Sequence, residues 1–222
     1  RRPTRCCWPL SRSCFRARCA DVHEDRFDAW VRSLEARHLA DLTFPEVSRA
    51  LRALSSTYVE RRSRIREGAA LSGAGKRAAF ALFYGPLHFL LVRHIALSIP
   101  RAQSGGGTLV DLGCGTGAAG AAWATAGAIS PALLGIDRHP WAAQEAAQTY
   151  REFGLRARCE LTDLGKAHFP ARSTVLAAFV VNEIPPDSRA ELLTRLLAHA
   201  TGGGHVLVVE PLARFVAPWW RP

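Results

Sequence analysis

LVDLGCGTGAAG, residues 109–120, is the stretch that decides the fold of this chain. It combines an apolar strand that carries one acid, a glycine-rich turn and the start of an alanine-rich helix. Gly113, Gly115 and Gly117 stand at every second position of the turn. A backbone that turns sharply and lies against a bound nucleoside needs residues without a Cβ, so the stretch predicts a nucleoside-cofactor site.

Short apolar runs alternate with helical patterns after residue 108, which is typical of a parallel sheet. The predicted strands lie at 109–112, 133–137, 159–163, 175–182 and 205–210, and the predicted helices between them at 118–126, 140–153 and 187–200. Right-handed crossovers would arrange these strands in a doubly wound sheet whose ligand crevice lies at their carboxyl ends. The predicted fold class is therefore α/β, a Rossmann-like doubly wound parallel sheet.

A helical extension precedes the predicted sheet. Apolar residues at helical spacing predict a helix over 21–38, and Thr43 with Glu46 has the capping-box spacing that begins a second helix. Residues 73–100 are predicted to form two helical pieces broken at Gly85-Pro86. The reason is that proline removes a backbone hydrogen bond and clashes with the preceding helical turn.

These patterns divide the chain into a basic tail at 1–20, expected to be disordered, a helical extension at 21–104 and a cofactor domain at 105–222. The chain contains no methionine and stops soon after the last predicted strand, so we expect a fragment truncated after strand five. The longest charge-free apolar run, 78–92, is shorter than the roughly 20 residues that span a bilayer. No membrane span is therefore predicted.

The net charge of +10 comes almost entirely from arginine, and residues 1–20 hold six arginines and no acid. A second basic cluster at 61–66 suits either contacts with phosphates or a solvated helix end. The tail also holds four of the six cysteines, but no C-x-x-C pair, so no metal site is predicted. The predicted location is the cytoplasm, or the mitochondrial matrix if the arginine-rich tail is a transit peptide.

Polar residues stand at or just after the end of every predicted strand. They are Asp111, Asp137, Asp163, the pair Asn182-Glu183, and Glu210. Because the carboxyl ends of parallel strands meet at one edge of a sheet, we expect these side chains to surround one ligand crevice.

Two cofactors compete for the glycine turn. Residues 115–120 satisfy G-x-G-x-x-G, and Asp137 has a spacing that could suit the ribose of NAD. However, Gly113 comes first after the strand, and Asp111 stands two residues before it. A carboxylate there would face a pyrophosphate unfavourably, but it would suit the ammonium and sulfonium charges of S-adenosylmethionine.

VDLGCGTG, at 110–117, resembles the first motif of the class I S-adenosylmethionine-dependent methyltransferases, and the resemblance covers about residues 105–212. It implies that Gly113, Gly115 and Gly117 let the backbone touch the methionine and ribose portions of S-adenosylmethionine. The roles implied for the strand ends are Asp111 near the amino acid end, Asp137 on both ribose hydroxyls, Asp163 on the adenine amino group, and Asn182 at the site where the methyl group leaves.

A narrower resemblance involves FALFYGPLHF at 80–89, GTGAAGAAWA at 115–124, VVNEIPPDSR at 180–189 and LVVEP at 207–211. Together these segments are similar to the bacterial relatives of the mitochondrial small-ribosomal-subunit methyltransferase-like family. That similarity implies RNA or a ribosomal particle as a partner.

The predicted function is an S-adenosylmethionine-dependent methyltransferase whose acceptor is either ribosome-linked RNA or a small molecule. Glu183 is the candidate general base, although it could equally cap the following helix, and Glu210 is the reserve. Tyr84 and Glu210 are the candidate acceptor-site residues, whereas His88 and His94 are interpreted as packing partners. The alternatives are a catalytically weak methyltransferase-fold assembly factor for ribosomal particles and, less favoured, an NAD-binding oxidoreductase.

Overall fold

The computed structural model of the chain describes residues 12–60, 71–99 and 107–211. The strands are β1 (Thr108–Leu112), β2 (Ala132–Asp137), β3 (Ala157–Leu161), β4 (Thr174–Ala178) and β5 (His205–Val209). The helices are α1 (Arg12–His38), α2 (Phe44–Glu60), α3 (Ala74–Ala79), α4 (Gly85–Ser98), α5 (Ala118–Ala126), α6 (Pro140–Glu152) and α7 (Pro186–Thr201). A π-helical segment, Phe80–Tyr84, joins α3 to α4.

The five strands form one sheet in the order β3-β2-β1-β4-β5, and every neighbouring pair is parallel. Strand order therefore reverses between β1 and β4, which is the switch point where doubly wound sheets bind ligands. The predicted α/β fold class is confirmed.

Both faces of the sheet are covered. Leu109 of β1 packs on the face that α1, α4, α5 and α6 cover, whereas its neighbour Val110 packs on the opposite face beneath α7. Successive side chains of a strand point to opposite faces, so a strand covered on both sides is apolar throughout its length. Asp111 is the exception in β1, because its carboxyl group is buried among apolar residues.

Two predicted strand ends are corrected. β3 ends at Leu161, so Asp163 lies in the following loop and accepts a hydrogen bond from the Gly165 N–H. β4 ends at Ala178 rather than at residue 182, because Phe179 has a φ of 62° and its backbone leaves strand geometry. The next three residues form the 3₁₀ turn Val181–Glu183.

The helical extension is fixed to the sheet domain through α6. Trp30 of α1 is fully buried, and its indole N–H donates to the Thr149 hydroxyl at 3.1 Å. Arg37 of α1 forms ion pairs with Glu145 and Glu152 of α6. Helix α1 begins at Arg12, so residues 12–20 of the predicted disordered tail are helical. The rest of that tail, 1–11, lies outside the described residues.

The predicted break at Gly85-Pro86 is wrong. The helix is continuous from Ala74 to Ser98, and Pro86 lies in the first turn of α4. The preceding turn is π-helical, with the Gly85 N–H bonded to the Phe80 carbonyl. This wider turn accommodates the proline ring, which would otherwise clash with the carbonyl four residues earlier.

Because it is continuous, this 25-residue helix is long and apolar enough to cross a membrane by length and composition. It is the one such helix among the described residues. The core helix of a folded domain can pass the same test. Phe89, Val92 and Ala96 of this helix belong to the buried core of the sheet domain.

Candidate functional site

A cavity of about 570 Å³ lies at the carboxyl edge of the sheet. The loop after β1 and the segments that follow β2, β3, β4 and β5 form one side of it, and the α3–α4 helix covers the other with Phe80, Tyr84 and His88. Its volume is within the roughly 300–1,000 Å³ of ordinary small-molecule sites. All five predicted strand ends approach this edge, but they do not all line the cavity.

The glycine loop requires its glycines for two different reasons. Gly113 and Gly115 line the cavity and have φ values of 72° and 53°, in the left-handed region that favours glycine. A Cβ on Gly113 would lie 2.4 Å from a methyl group of Val180. A Cβ on Gly117 would instead lie 2.9 Å from the Ala146 backbone of α6. Gly117 is therefore needed for close packing against α6, and the cofactor contact implied for it stays a prediction.

The contact implied for Asp111, near the amino acid end of the cofactor, is also corrected. Its side chain is only 1% exposed and does not line the cavity. One carboxylate oxygen accepts hydrogen bonds from the Gly120 N–H at 2.9 Å and from the Tyr150 hydroxyl at 2.8 Å. Asp111 therefore connects β1, which leads into the glycine loop, to helices α5 and α6. It does not meet the charge of the cofactor directly.

Burial raises the pKa of Asp111 to about 7, although the hydrogen bonds from Tyr150 and Gly120 act in the opposite direction. Burial, together with the negative charge of Asp111, also raises the pKa of Tyr150 well above its ordinary value. The Tyr150 hydroxyl therefore remains a proton donor to Asp111 at neutral pH.

Asp137 closes β2 and lines the cavity. Its two carboxylate oxygens accept hydrogen bonds from the Gly115 N–H at 3.0 Å and the His139 N–H at 2.8 Å. Each oxygen keeps a further lone pair for a ligand hydroxyl. Asp163 also lines the cavity and is exposed, and one of its oxygens accepts from the Gly165 N–H at 2.8 Å. The ribose and adenine contacts implied for these two acids stay predictions.

Glu210 follows β5 and holds the turn Val181–Glu183 in place. Its carboxylate accepts from the Val181 N–H at 2.6 Å, the Asn182 N–H at 3.2 Å and the Asn182 side-chain amide at 2.7 Å. Glu210 therefore positions this turn, and it also lines the cavity, so its roles as reserve base and acceptor-site residue stay predictions. Asn182 and Glu183 both line the cavity at this turn.

Rings from the helical cover form the other wall of the cavity. Phe80, Tyr84 and His88 lie four residues apart, and neighbouring ring centroids in this row are 5.8 and 5.7 Å apart. His88 stacks on Phe179 with centroids 3.9 Å apart and an interplanar angle of 16°. Phe179 holds a left-handed backbone conformation, which is costly for a bulky residue and is found mainly where neighbouring structure enforces it.

Sequence reasoning missed this wall. Tyr84 was assigned to the acceptor site, but His88 was interpreted as a packing partner, whereas the structure places it on the cavity. The spacing of Phe80, Tyr84 and His88 on one helical face was the available signal, since residues four apart are surface neighbours. Burial lowers the pKa of His88 to about 4, so the ring that faces the cavity is neutral near pH 7.

The residues present fit S-adenosylmethionine. A loop that leaves no room for a Cβ brings its backbone to the cavity, and carboxylates stand at the positions where the ribose and adenine polar groups are expected. The neutral aromatic wall stands opposite, where an uncharged surface suits a sulfonium methyl group and its acceptor.

Comparison with known proteins finds one matching domain family and several similar folds. Residues 109–204 match the methyltransferase domain family. The structure of mitomycin 7-O-methyltransferase is 20% identical over 82% of this chain and 55% of its own, with a TM-score of 0.53. An S-adenosylmethionine-dependent methyltransferase from Leishmania major is 11% identical over 76% of this chain and 62% of its own, with a TM-score of 0.48.

The chain spans about half the length of the first solved structures that it matches, from 47% to 57%. No curated protein shows significant sequence similarity to it. Neither the assembly-factor alternative nor the NAD alternative is supported by these matches. Residues 109–204 of this chain are thus similar to a methyltransferase domain, and the fold of the chain is that of the methyltransferase structure it resembles.

Proposed function

We propose that this chain transfers the methyl group of S-adenosylmethionine to an acceptor bound between the aromatic wall and the turn Val181–Glu183. The observation that carries the proposal is that one cavity contains both a cofactor half and a second, differently built half. The cofactor half comprises the glycine loop, Asp137 and Asp163. The acceptor half comprises Tyr84, His88, Phe179, Asn182 and Glu183.

S-adenosylmethionine supplies a methyl group on a sulfonium centre, and its leaving group departs neutral without needing an acid. The residues of this chain therefore have to hold two reactants at attack distance and exclude water. The Gly113 and Gly115 backbone with Asp137 would bind one reactant. The rings of the cover would shield the other, and Glu183 would take a proton where the attacking group must lose one.

The acceptor half favours a flat, uncharged ring. His88 is neutral, and its stack with Phe179 presents ring surfaces next to Tyr84. Offset or edge-to-face contacts with such rings add roughly 0.5–1.5 kcal/mol beyond the burial of their area. We therefore propose an aromatic acceptor with a hydroxyl or amino nucleophile. A ribosome-linked RNA base and a cytoplasmic location stay predictions.

A methyl-transfer assay with labelled S-adenosylmethionine tests the function and separates the acceptors. The assay would present ribosomal RNA, ribosomal particles and aromatic small molecules in separate reactions. We expect label on small aromatic molecules, and label on RNA alone would reassign the acceptor. If calorimetry detected no saturable binding of S-adenosylmethionine, the proposed function would be wrong.

The base role of Glu183 requires its own variant. Glu183→Gln keeps the shape of the side chain but cannot take a proton, so we expect turnover to fall about 10²-fold or more with little change in cofactor affinity. Glu191→Gln is the matched control, because Glu191 is exposed on α7 and does not line the cavity. Full turnover of Glu183→Gln would leave Glu183 with a helix-capping role only.

A further inference from the structure

One cysteine in the glycine loop and one on β3 have no part in the proposed reaction. Cys114 is buried within the loop, and Cys159 is partly buried on β3. Both are free thiols. Because β3 is an edge strand, one side of it has no neighbouring strand in the sheet.

A glycine on the intervening strand allows the two thiols to meet. Gly135 of β2 pairs in register with Cys159, and a Cβ on Gly135 would lie 3.1 Å from the Cys159 sulfur. On the other side, the Cys114 N–H donates to the carbonyl of Ile136 at 3.0 Å. Cys114 and Cys159 therefore lie on either side of the bare backbone at Gly135, close enough for each thiol to shift the pKa of the other.

We propose that Cys114 and Cys159 form a redox modification site, at which a peroxide closes a disulfide that displaces the glycine loop and weakens cofactor binding. The disulfide itself follows from the contact between the two thiols. Its effect on the cofactor rests on the proposed function.

Cys159 is partly exposed on the edge strand, whereas Cys114 is buried at the cavity wall, so we take Cys159 as the sulfur that a peroxide attacks first. The hydrogen bond from Cys114 also lowers the pKa of the Cys159 thiol, and the thiolate is the reactive form. The Cys159 thiolate attacks one peroxide oxygen, so that the O–O bond breaks, a sulfenic acid forms and hydroxide leaves.

The second step closes the ring. The sulfur of Cys114 attacks the Cys159 sulfenic acid, the S–S bond forms as the S–O bond breaks, and the thiol proton leaves with the oxygen as water. Overall, two thiols lose two electrons and two protons, and one peroxide is reduced to two waters. A dithiol reductant reverses the modification by thiol–disulfide exchange.

The glycine loop has few ways to accommodate the Cys114–Cys159 disulfide without moving. An S–S bond of about 2.05 Å is much shorter than a hydrogen-bonded contact between sulfurs. The N–H groups of Gly113 and Cys114 both donate to the Ile136 carbonyl, and the Gly115 N–H donates to Asp137. Pulling Cys114 towards β3 therefore moves Gly115 relative to Asp137, and these two residues lie next to each other on the cavity wall.

The test uses the full chain with Cys6, Cys7, Cys14 and Cys19 changed to serine, which leaves Cys114 and Cys159 of the six cysteines. The chain is treated with hydrogen peroxide, and intact mass and peptide mapping report the cross-link. We expect the loss of two hydrogens, a Cys114–Cys159 peptide and S-adenosylmethionine binding that is weaker by roughly tenfold or more. Dithiothreitol should restore both the mass and the affinity.

Cys159→Ser in the same background is the control, because Cys159 does not line the cavity. Its affinity for S-adenosylmethionine should be the same before and after peroxide. Peptide mapping of the wild-type chain after peroxide covers the case in which the serine background does not fold.

Overoxidised Cys159 without a cross-link would overturn the proposed site. A complete cross-link with unchanged affinity would overturn its coupling to the loop. A reduced chain that binds no S-adenosylmethionine would contradict the proposed function, while the mass measurement would still decide the disulfide.

Discussion

The two halves of the cavity are lined by different chemical groups. The half that we propose for the cofactor is lined by the backbone of the glycine loop and by carboxylates that follow the neighbouring strands. The half that we propose for the acceptor is lined by rings, contributed by Tyr84 and His88 of the helical cover and by Phe179 after β4. Backbone geometry decides the first half, and side-chain packing decides the second.

This difference explains why the cofactor is easier to identify than the acceptor. The glycine loop is five consecutive residues, 113–117, whose conformation leaves no room for a Cβ on Gly113. His88 and Phe179, by contrast, are 91 positions apart in the sequence, yet their rings stack at 3.9 Å. If the two halves bind different ligands, variants of the first half should affect cofactor binding and folding, and variants of the second should affect the binding or turnover of the acceptor.

Asp137→Ala should have the largest effect. The change removes the acceptor for the Gly115 and His139 N–H groups as well as the proposed ribose contacts. Hydrogen bonds to a charged group are worth about 1.5–3 kcal/mol each, so we expect S-adenosylmethionine affinity to fall about 100-fold or more. Calorimetry measures this, with Asp163→Ala as the milder comparison because Asp163 is exposed. Equal losses of S-adenosylmethionine affinity in Asp137→Ala and Asp163→Ala would contradict the larger role that we assign to Asp137.

Gly113→Ala should destabilise the fold. The new Cβ would meet Val180 at 2.4 Å, and the φ of 72° is unfavourable for alanine. Overpacking costs about 1–3 kcal/mol and a left-handed non-glycine residue about 1–2 kcal/mol, which together predict a loss of about 2–5 kcal/mol on denaturant unfolding. Gly154→Ala separates the two causes, because Gly154 has a φ of 67° and its Cβ position lies 3.8 Å from the Arg26 guanidinium, an ordinary contact distance. A similar loss in both variants would mean that the contact with Val180 does not matter.

His88→Leu should affect the acceptor and spare the cofactor. The change removes the ring that stacks on Phe179, and aromatic pairs of this kind are worth about 0.5–1.5 kcal/mol. We therefore expect kcat/KM for the acceptor to fall about threefold to tenfold, while S-adenosylmethionine affinity changes less than about twofold. His94→Leu is the control, because His94 is exposed on the same helix. A large loss of cofactor affinity in His88→Leu would contradict the assignment of the two halves of the cavity to different ligands.

The smallest net effect expected in the wild-type chain comes from a pair of opposite pH dependences. Burial raises the pKa of Asp111 from 3.8 to about 7, so the folded state binds the proton more tightly than the unfolded state. Asp111 therefore makes stability fall as pH rises between those values. Burial lowers the pKa of His88 from 6.5 to about 4, so the unfolded state binds the proton more tightly. His88 therefore makes stability fall as pH decreases from 6.5 towards 4.

In the wild-type chain these two contributions oppose each other over the same pH range. Relative to wild type, Asp111→Asn should become more stable as pH rises between about 4 and 7. His88→Leu should show the opposite slope between about 4 and 6.5. Denaturant unfolding at several pH values measures both, and two slopes of the same sign would show that one of these groups is not buried as described.

The polar residues of the cavity were predicted to different degrees. Asp137 closes β2 as predicted, whereas Asn182 and Glu183 lie in the 3₁₀ turn after β4 and not at the predicted strand end. All three still line the cavity, because a parallel sheet gathers the segments that follow its strands at one edge. Asp111 was found by the same reasoning but given the wrong partner. Its side chain is hydrogen-bonded to Tyr150 and to the Gly120 N–H. The alternation of residues along β1 does not reveal which polar groups lie on the buried face.

By itself, the sequence determined the parallel sheet, the left-handed glycine loop and the nucleoside cofactor, because each of these depends on patterns among consecutive residues. Tertiary structure decided that the helix continues through Pro86, that Glu210 clamps Asn182 and that His88 faces the cavity on Phe179. Each of these depends on contacts between segments distant in the chain or on a local π-helical turn. Hydrophobic periodicity carries no information about such contacts, because it reports which side of an element is buried and not what that side meets.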